Sequence, residues 1–133
     1  MWENYKMIRL LANAPQPEWA CFAIITAWNP ASTLRHPEEN DAHQQDLLNQ
    51  LMNFPLLEVW GCSPDLSWRE RSVAVACPLA FARQLAIRFG QNAIYWVDQG
   101  ELWLVPVLLQ HEETVSLGPL VDYWIASAPP PVK

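Results

Sequence analysis

The run Cys21-Phe22-Ala23-Ile24-Ile25-Thr26-Ala27-Trp28 restricts the fold of this chain more than any other stretch. It is apolar, β-branched and aromatic, it is far too short to span a membrane, and it stops at Asn29-Pro30. Such a run reads as a central strand buried on both faces, with Phe22, Ile24 and Trp28 on one side and Ala23, Ile25 and Ala27 on the other. Proline biases its predecessor away from the helical region, so the strand ends in a polar corner.

The remaining elements follow in order. Met7, Leu10, Leu11 and Ala14 stand at helical spacing and predict a short lead-in helix within Met1 to Ala14, broken by Pro15 and Pro17. Pro37-Glu38-Glu39 has a proline and two carboxylates where a helix start favours them. A helix over about Pro37 to Asn53 aligns Leu47, Leu48, Leu51 and Met52 in one stripe and sets Asn40, His43 and Gln44 on that stripe at its polar top. Leu56 to Trp60 predicts a second strand, Gly61 to Ser67 a turn excursion, and Ser72 to Cys77 a third strand entered through Trp68 to Arg71. Leu79 to Phe89 predicts a second helix with Leu79, Ala82, Leu85, Ala86 and Phe89 buried, ended by Gly90. Ala93 to Val97 is a fourth strand, joined through the hairpin turn Asp98-Gln99-Gly100 to a fifth over Glu101 to Leu109. Pro106 cannot donate to a ladder and assigns that fifth strand to a sheet edge. Leu120 to Ala126 suits a short helix or a strand, and Pro129-Pro130-Pro131 predicts a frayed tail.

This order predicts an α+β fold: a ferredoxin-like βαββαβ antiparallel sheet with an added C-terminal edge strand and two helices on one face. The length of 133 residues suits a single domain, 1–133, with its core at about 20–109, a lead-in at 1–17 and an extension at 110–133. Because the Cys21 strand is apolar on both sides, the face away from the helices needs a cover. The lead-in helix and the Leu120 to Ala126 segment are the expected cover, with homodimerisation through an aromatic sheet face as the rival.

Composition narrows the partners. A net charge of −6 repels phosphate backbones and anionic lipid, so neither nucleic acid nor membrane is an expected partner. Three cysteines without a CxxC pair and no signal-like N-terminus point to free thiols in a reducing cytoplasm. His36, His43 and His111 lack metal-ligand spacing, and four glycines form no phosphate loop, so no metal or cofactor is expected.

In the expected topology the end of the Cys21 strand, the start of the first helix, the loop before the third strand and the exit of the second helix share one end of the sheet. Asn29, Asn40, Trp68, Glu70, Arg71, Gln91 and Asn92 collect there, a set of fixed polar groups with an aromatic ring such as a polar-ligand pocket needs. Glu70, between Arg69 and Arg71 and next to Trp68, is the candidate general acid or base. Trp68 is the candidate stacking surface, and Asn29, Asn40, Arg71, Gln91 and Asn92 are candidate ligand contacts. Each has a plainer reading: Asn29 as a turn cap, Asn40 as a structural bond to the corner, Glu70 and the arginines as ion pairs, Gln91-Asn92 as a helix-exit turn. Cys62, expected on a loop, is the one cysteine placed to act as a nucleophile, but no histidine is placed beside it.

The words Phe22-Ala23-Ile24-Ile25-Thr26-Ala27-Trp28-Asn29-Pro30, Glu39-Asn40, Gly61-Cys62-Ser63-Pro64, Trp68-Arg69-Glu70 and Phe89-Gly90-Gln91-Asn92-Ala93-Ile94-Tyr95-Trp96 resemble domain-of-unknown-function family 3293 over roughly Ala20 to Val107. The resemblance implies a bacterial source and carries no known activity. The expected function is binding of a small polar molecule or a peptide at the end of the Cys21 strand. The alternatives are a small enzyme using Glu70, with Asn40 and Asn92 orienting substrate, and an interaction module.

Overall fold

The computed structural model describes residues 2–30 and 33–127. The chain runs α1 (Trp2–Tyr5), β1 (Arg9–Ala12), β2 (Cys21–Ile25), α2 (Pro37–Gln50), β3 (Leu56–Cys62), β4 (Arg69–Val75), α3 (Leu79–Arg88), β5 (Ala93–Asp98), β6 (Glu101–Pro106), β7 (Val115–Pro119), a 3-10 turn (Leu120–Asp122) and β8 (Trp124–Ala126). The strands among the described residues form one eight-stranded sheet in the order β7-β6-β5-β2-β4-β3-β1-β8. It is mixed, since β8 lies parallel to β1 while the other pairs are antiparallel.

This corrects the expected fold class. The central order β6-β5-β2-β4-β3 matches the neighbours expected from sequence, but β1 and β8 extend the sheet on one side and β7 on the other. With three α-helices and a mixed eight-stranded sheet among the described residues, the protein is not ferredoxin-like. The lead-in is also different: α1 has four residues, and Leu10, Leu11 and Ala12 form strand rather than helix. The helical spacing of Met7, Leu10, Leu11 and Ala14 was no guide, because Leu10, Leu11 and Ala12 are all buried and the open edge of β3 offers a ladder that a short isolated helix cannot match. The Pro106 strand is not at an edge either, for β7 pairs with it; that pairing runs from Glu101 only to Leu104, so Pro106 lies past its end, where no donor is needed on that side. Leu120 to Ala126 is a 3-10 turn followed by a strand. The expectation for Pro129-Pro130-Pro131 lies outside the described residues.

One connection dictates the shape of the sheet. β7 and β8 are its two outermost strands, yet only the short link from Pro119 to Trp124 joins them. A flat sheet of this size would hold its outer strands roughly 33 Å apart at about 4.8 Å per step. The link spans at most about 18 Å. The sheet therefore curls until its outer strands approach, and the Leu120 N–H bonds the Gly100 carbonyl at 2.8 Å while the Leu10 N–H bonds that of Tyr123 at 2.8 Å.

Curling gives the sheet two different faces. On the convex side α2 and α3 cover Ala23, Ile25, Val73, Val75 and Ile94 with Leu47, Leu51, Ala82, Leu85 and Phe89. The concave side is filled by Phe22, Ile24, Ala74, Tyr95, Leu102 and Leu104, with Leu120, Trp2, Tyr5 and Trp124 packed against them. Strand alternation in β2 thus feeds two cores at once. Burial of such side chains contributes about 1.5–3 kcal/mol each against the entropy of ordering.

Candidate functional site

The corner after β2 is built by side chains that replace the lost ladder. The Thr26 hydroxyl donates to the Arg71 carbonyl at 2.6 Å and accepts the Trp28 N–H at 3.0 Å. Gln44, reaching up from α2, accepts the Ala27 N–H at 3.1 Å. Asn29 then adopts a left-handed backbone, φ 47°, a conformation asparagine tolerates better than most residues. On the far side the Gln91 amide donates to the carbonyls of Trp28 at 3.0 Å and Phe89 at 3.3 Å. Gly90, φ 67°, brings α3's exit so close that a Cβ there would lie 3.0 Å from the Pro30 Cβ.

Asn29 is the hub. Its backbone N–H donates to Asn40 Oδ1 at 2.9 Å, and its Oδ1 accepts from Asn40 Nδ2 and the Arg35 N–H, both at 3.0 Å. Two donors on Oδ1 fix the amide so that Nδ2 faces Glu70 and donates to Oε2 at 2.7 Å. Asn40 is placed by helical periodicity: with Gln44 and Leu47 it forms the buried stripe of α2.

Glu70 stands near the start of β4, opposite Gly61 of β3. It shares the concave face with Ser72 and Ala74, so its carboxyl enters an open cavity of about 470 Å³. Asn4, Tyr5, Met7 and Ile8 form one wall; Cys62, Ser63, Pro64 and Trp68 form the other. Tyr95 and Gly61 complete the lining beside Glu70. A narrower recess of about 60 Å³ shares Tyr5, Ile8, Gly61, Glu70 and Tyr95 and reaches inward to Thr26, Asn29, Ser72 and Gln91. Burial pushes the Glu70 carboxyl up from 4.5 to about 7, with the Asn29 hydrogen bond opposing in part. Tyr95 is pushed well above its ordinary value, first by burial and then by Tyr5 and Glu70, and its hydroxyl donates to the Tyr5 carbonyl at 2.6 Å.

The rim loop carrying Trp68 is braced from within. Asp65 accepts from the Ser67 hydroxyl at 2.7 Å, the Ser67 N–H at 3.1 Å and the Ser63 hydroxyl at 2.8 Å, which hold its carboxyl down at about 2. The Ser63 N–H bonds the Trp68 carbonyl at 2.9 Å, and the Trp68 N–H bonds Ser63 Oγ at 3.0 Å. Trp68, 46% exposed, is thereby presented at the mouth.

Of the residues singled out from sequence, Asn29, Trp68, Glu70 and Gln91 line the cavity or its recess, and Asn40 stands one bond behind Asn29. Arg71 does not join them: it pairs with Glu58 at 2.8 Å and Asp41 at 3.5 Å on the opposite face, as strand alternation requires. Asn92 is buried outside the lining, its carbonyl accepting the Val107 N–H at 2.9 Å and the Leu108 N–H at 3.1 Å. Cys62 is not on a loop but ends β3, buried, and desolvation raises its thiol against a lowering by Arg69. Sequence reasoning missed Tyr5, Ile8 and Tyr95, the first two because the lead-in read as a helix, the third because it stood within the expected fourth strand with no sign of which face it takes.

A family model described as Protein of unknown function (DUF3293) matches residues 25–94, more than half of the chain. The chain belongs to this family. No curated protein and no solved structure matches it. The DUF3293 match includes Asn29, Asn40, Trp68, Glu70 and Gln91, whereas Tyr5, Ile8 and Tyr95 lie beyond it. No helix among the described residues is long and apolar enough to cross a membrane.

Proposed function

We propose that this protein binds a small molecule with an apolar body and one polar head in the cavity over Glu70. The observation that carries this reading is the carboxyl itself, held by Asn29 at 2.7 Å beneath apolar and aromatic walls. A volume of about 470 Å³ falls in the range of small-ligand sites, which pair apolar linings with a few oriented polar groups. In this role Glu70, Asn29 and Gln91 supply polar contacts, Trp68 a stacking surface and Asn40 the orientation of Asn29. The three free thiols suit a reducing cytoplasm as its setting. Thermal-shift and NMR screening of a fragment library tests it. Hits are expected to move Trp68 and Glu70 resonances and to weaken in Glu70→Gln and Trp68→Ala, while Arg71→Ala binds as the parent does. Hits indifferent to both cavity variants would refute the site.

A second reading is favoured by the Glu70 value of about 7, which suits proton transfer near neutral pH. Turnover on a substrate panel that rises through pH 7 and vanishes in Glu70→Gln would select the enzyme over the binding module.

A further inference from the structure

Resting on the cavity as a ligand site, we infer that its ligand is an organic cation, a protonated amine on an aromatic or aliphatic body, whose ammonium group pairs with the Glu70 carboxylate. Glu70 is the sole charged side chain lining the cavity and its recess among the described residues. No lysine, arginine or histidine among those residues forms a salt bridge with it. Its neighbours on β4 cannot help, since Arg69 and Arg71 take the other face and Arg71 is occupied by Glu58 and Asp41.

The hydrogen-bonding groups nearby lead to the same class of ligand. A carboxylate accepts at about four lone-pair sites, and the Asn29 amide fills one of them. Two hydroxyl protons beside it are already used: Tyr95 donates to the Tyr5 carbonyl, and Ser72 donates to Glu70's own carbonyl at 3.1 Å. An acceptor-rich anion without a cationic partner is what an ammonium donor completes. The rings of Tyr5, Trp68 and Tyr95 offer faces that attract a cation and tolerate its apolar body. A neutral ligand would leave the carboxylate unpaired, and an anion would be repelled by it.

The pairing releases a proton whenever Glu70 is protonated beforehand. The other titratable groups facing the cavity are Tyr5 from the N-terminal segment, Tyr95 from β5 and Cys62 from β3. Tyr95 and Cys62 are both shifted upward, which keeps them neutral across the acid range. With Glu70 at about 7, the apparent Kd for an amine is expected to be about 100-fold weaker at pH 5 than at pH 8.

Calorimetric or NMR titrations with phenethylamine, its neutral analogue phenethyl alcohol and the anion hydrocinnamate provide the test, using the full chain, Glu70→Gln and Gly61→Val. A Cβ at Gly61 meets Ile8 and Ser72 Oγ at 3.5 Å, an ordinary contact, so a larger side chain there takes up cavity space while the Glu70 carboxylate stays able to ionise. Phenethylamine is expected to bind at least about tenfold more tightly than the alcohol at pH 8. That preference should disappear in Glu70→Gln and at pH 5, and Gly61→Val should weaken both compounds. Equal binding of alcohol and amine, tighter binding of hydrocinnamate, or a preference surviving in Glu70→Gln would overturn the cation while leaving the cavity a binding site. No binding of any of the three at millimolar concentration would overturn both readings. Should Glu70→Gln fail to fold, the pH dependence of the parent and the Gly61→Val comparison decide.

Discussion

Replacing Glu70 by glutamine preserves the side chain's shape and an oxygen for the Asn29 amide to donate to, and removes only the titration. In the folded protein the carboxyl ionises at about 7, against 4.5 for an ordinary glutamate. Below about pH 4.5 it is protonated in both folded and unfolded chains, and its effect on stability is constant. As pH rises above about 4.5 the unfolded chain ionises freely while the folded one keeps its proton rather than bear a desolvated charge, so stability falls between about pH 4.5 and about pH 7. At about 1.36 kcal/mol per pKa unit the ceiling is about 3 kcal/mol, and water at the open cavity reduces it to about 2 kcal/mol. An unfolding entropy of roughly 0.28 kcal/mol/K for a chain this long turns that into about 7 °C. The assay is the melting temperature of Glu70→Gln minus that of the parent, followed from about pH 4.5 to about pH 8, which cancels all other titrating groups. The difference should grow by about 7 °C in favour of the variant. A gap independent of pH would refute the raised Glu70 carboxyl and with it the pH dependence of amine binding.

Three further perturbations probe the scaffold. Asn40→Ala strands the buried Asn29 N–H and frees the amide that faces Glu70, and should cost about 2 kcal/mol in chemical denaturation; a neutral result would remove Asn40 as the support of the corner. Gly90→Ala combines a left-handed backbone with a 3.0 Å approach to Pro30, and a loss of about 1–2 kcal/mol is expected in the same measurement. Tyr95→Phe removes the bond that ties the Tyr5 carbonyl over the cavity and should cost about 1 kcal/mol. Hydrogen exchange in Trp2 to Ile8 should accelerate in that variant, and unchanged exchange would show that apolar packing alone holds the segment.

The candidate site was legible where local rules govern. Asn29-Pro30 announced a corner, the helix that Pro37 opens put Asn40 on its buried stripe by periodicity, and Gly90 marked the left-handed exit that brings Gln91 beneath Trp28. Arg71 looked equivalent to Glu70 because the two are adjacent in sequence, but adjacency in a strand means opposite faces, and only the observed register says which one meets the cavity. Tyr5 was not legible as a wall of that cavity. Its position depends on β1 pairing with β3 and on a bond to Tyr95, ninety residues away.

By itself the sequence determined the central strand, its polar corner, the two main helices and the β5–β6 hairpin, because each is specified by short-range patterns of burial, proline and glycine. Tertiary structure alone decided what the terminal segments become. Leu10, Leu11 and Ala12 are strand because β3 offers an edge, and the few residues from Pro119 to Trp124 are too short to join the edges of a flat sheet. Their connection forces the curl, and the curl creates a concave face on which Glu70 stands half-buried, with no cationic partner among the described residues. Chain connectivity across the whole sheet, which no local pattern encodes, is therefore what gave this carboxyl its environment.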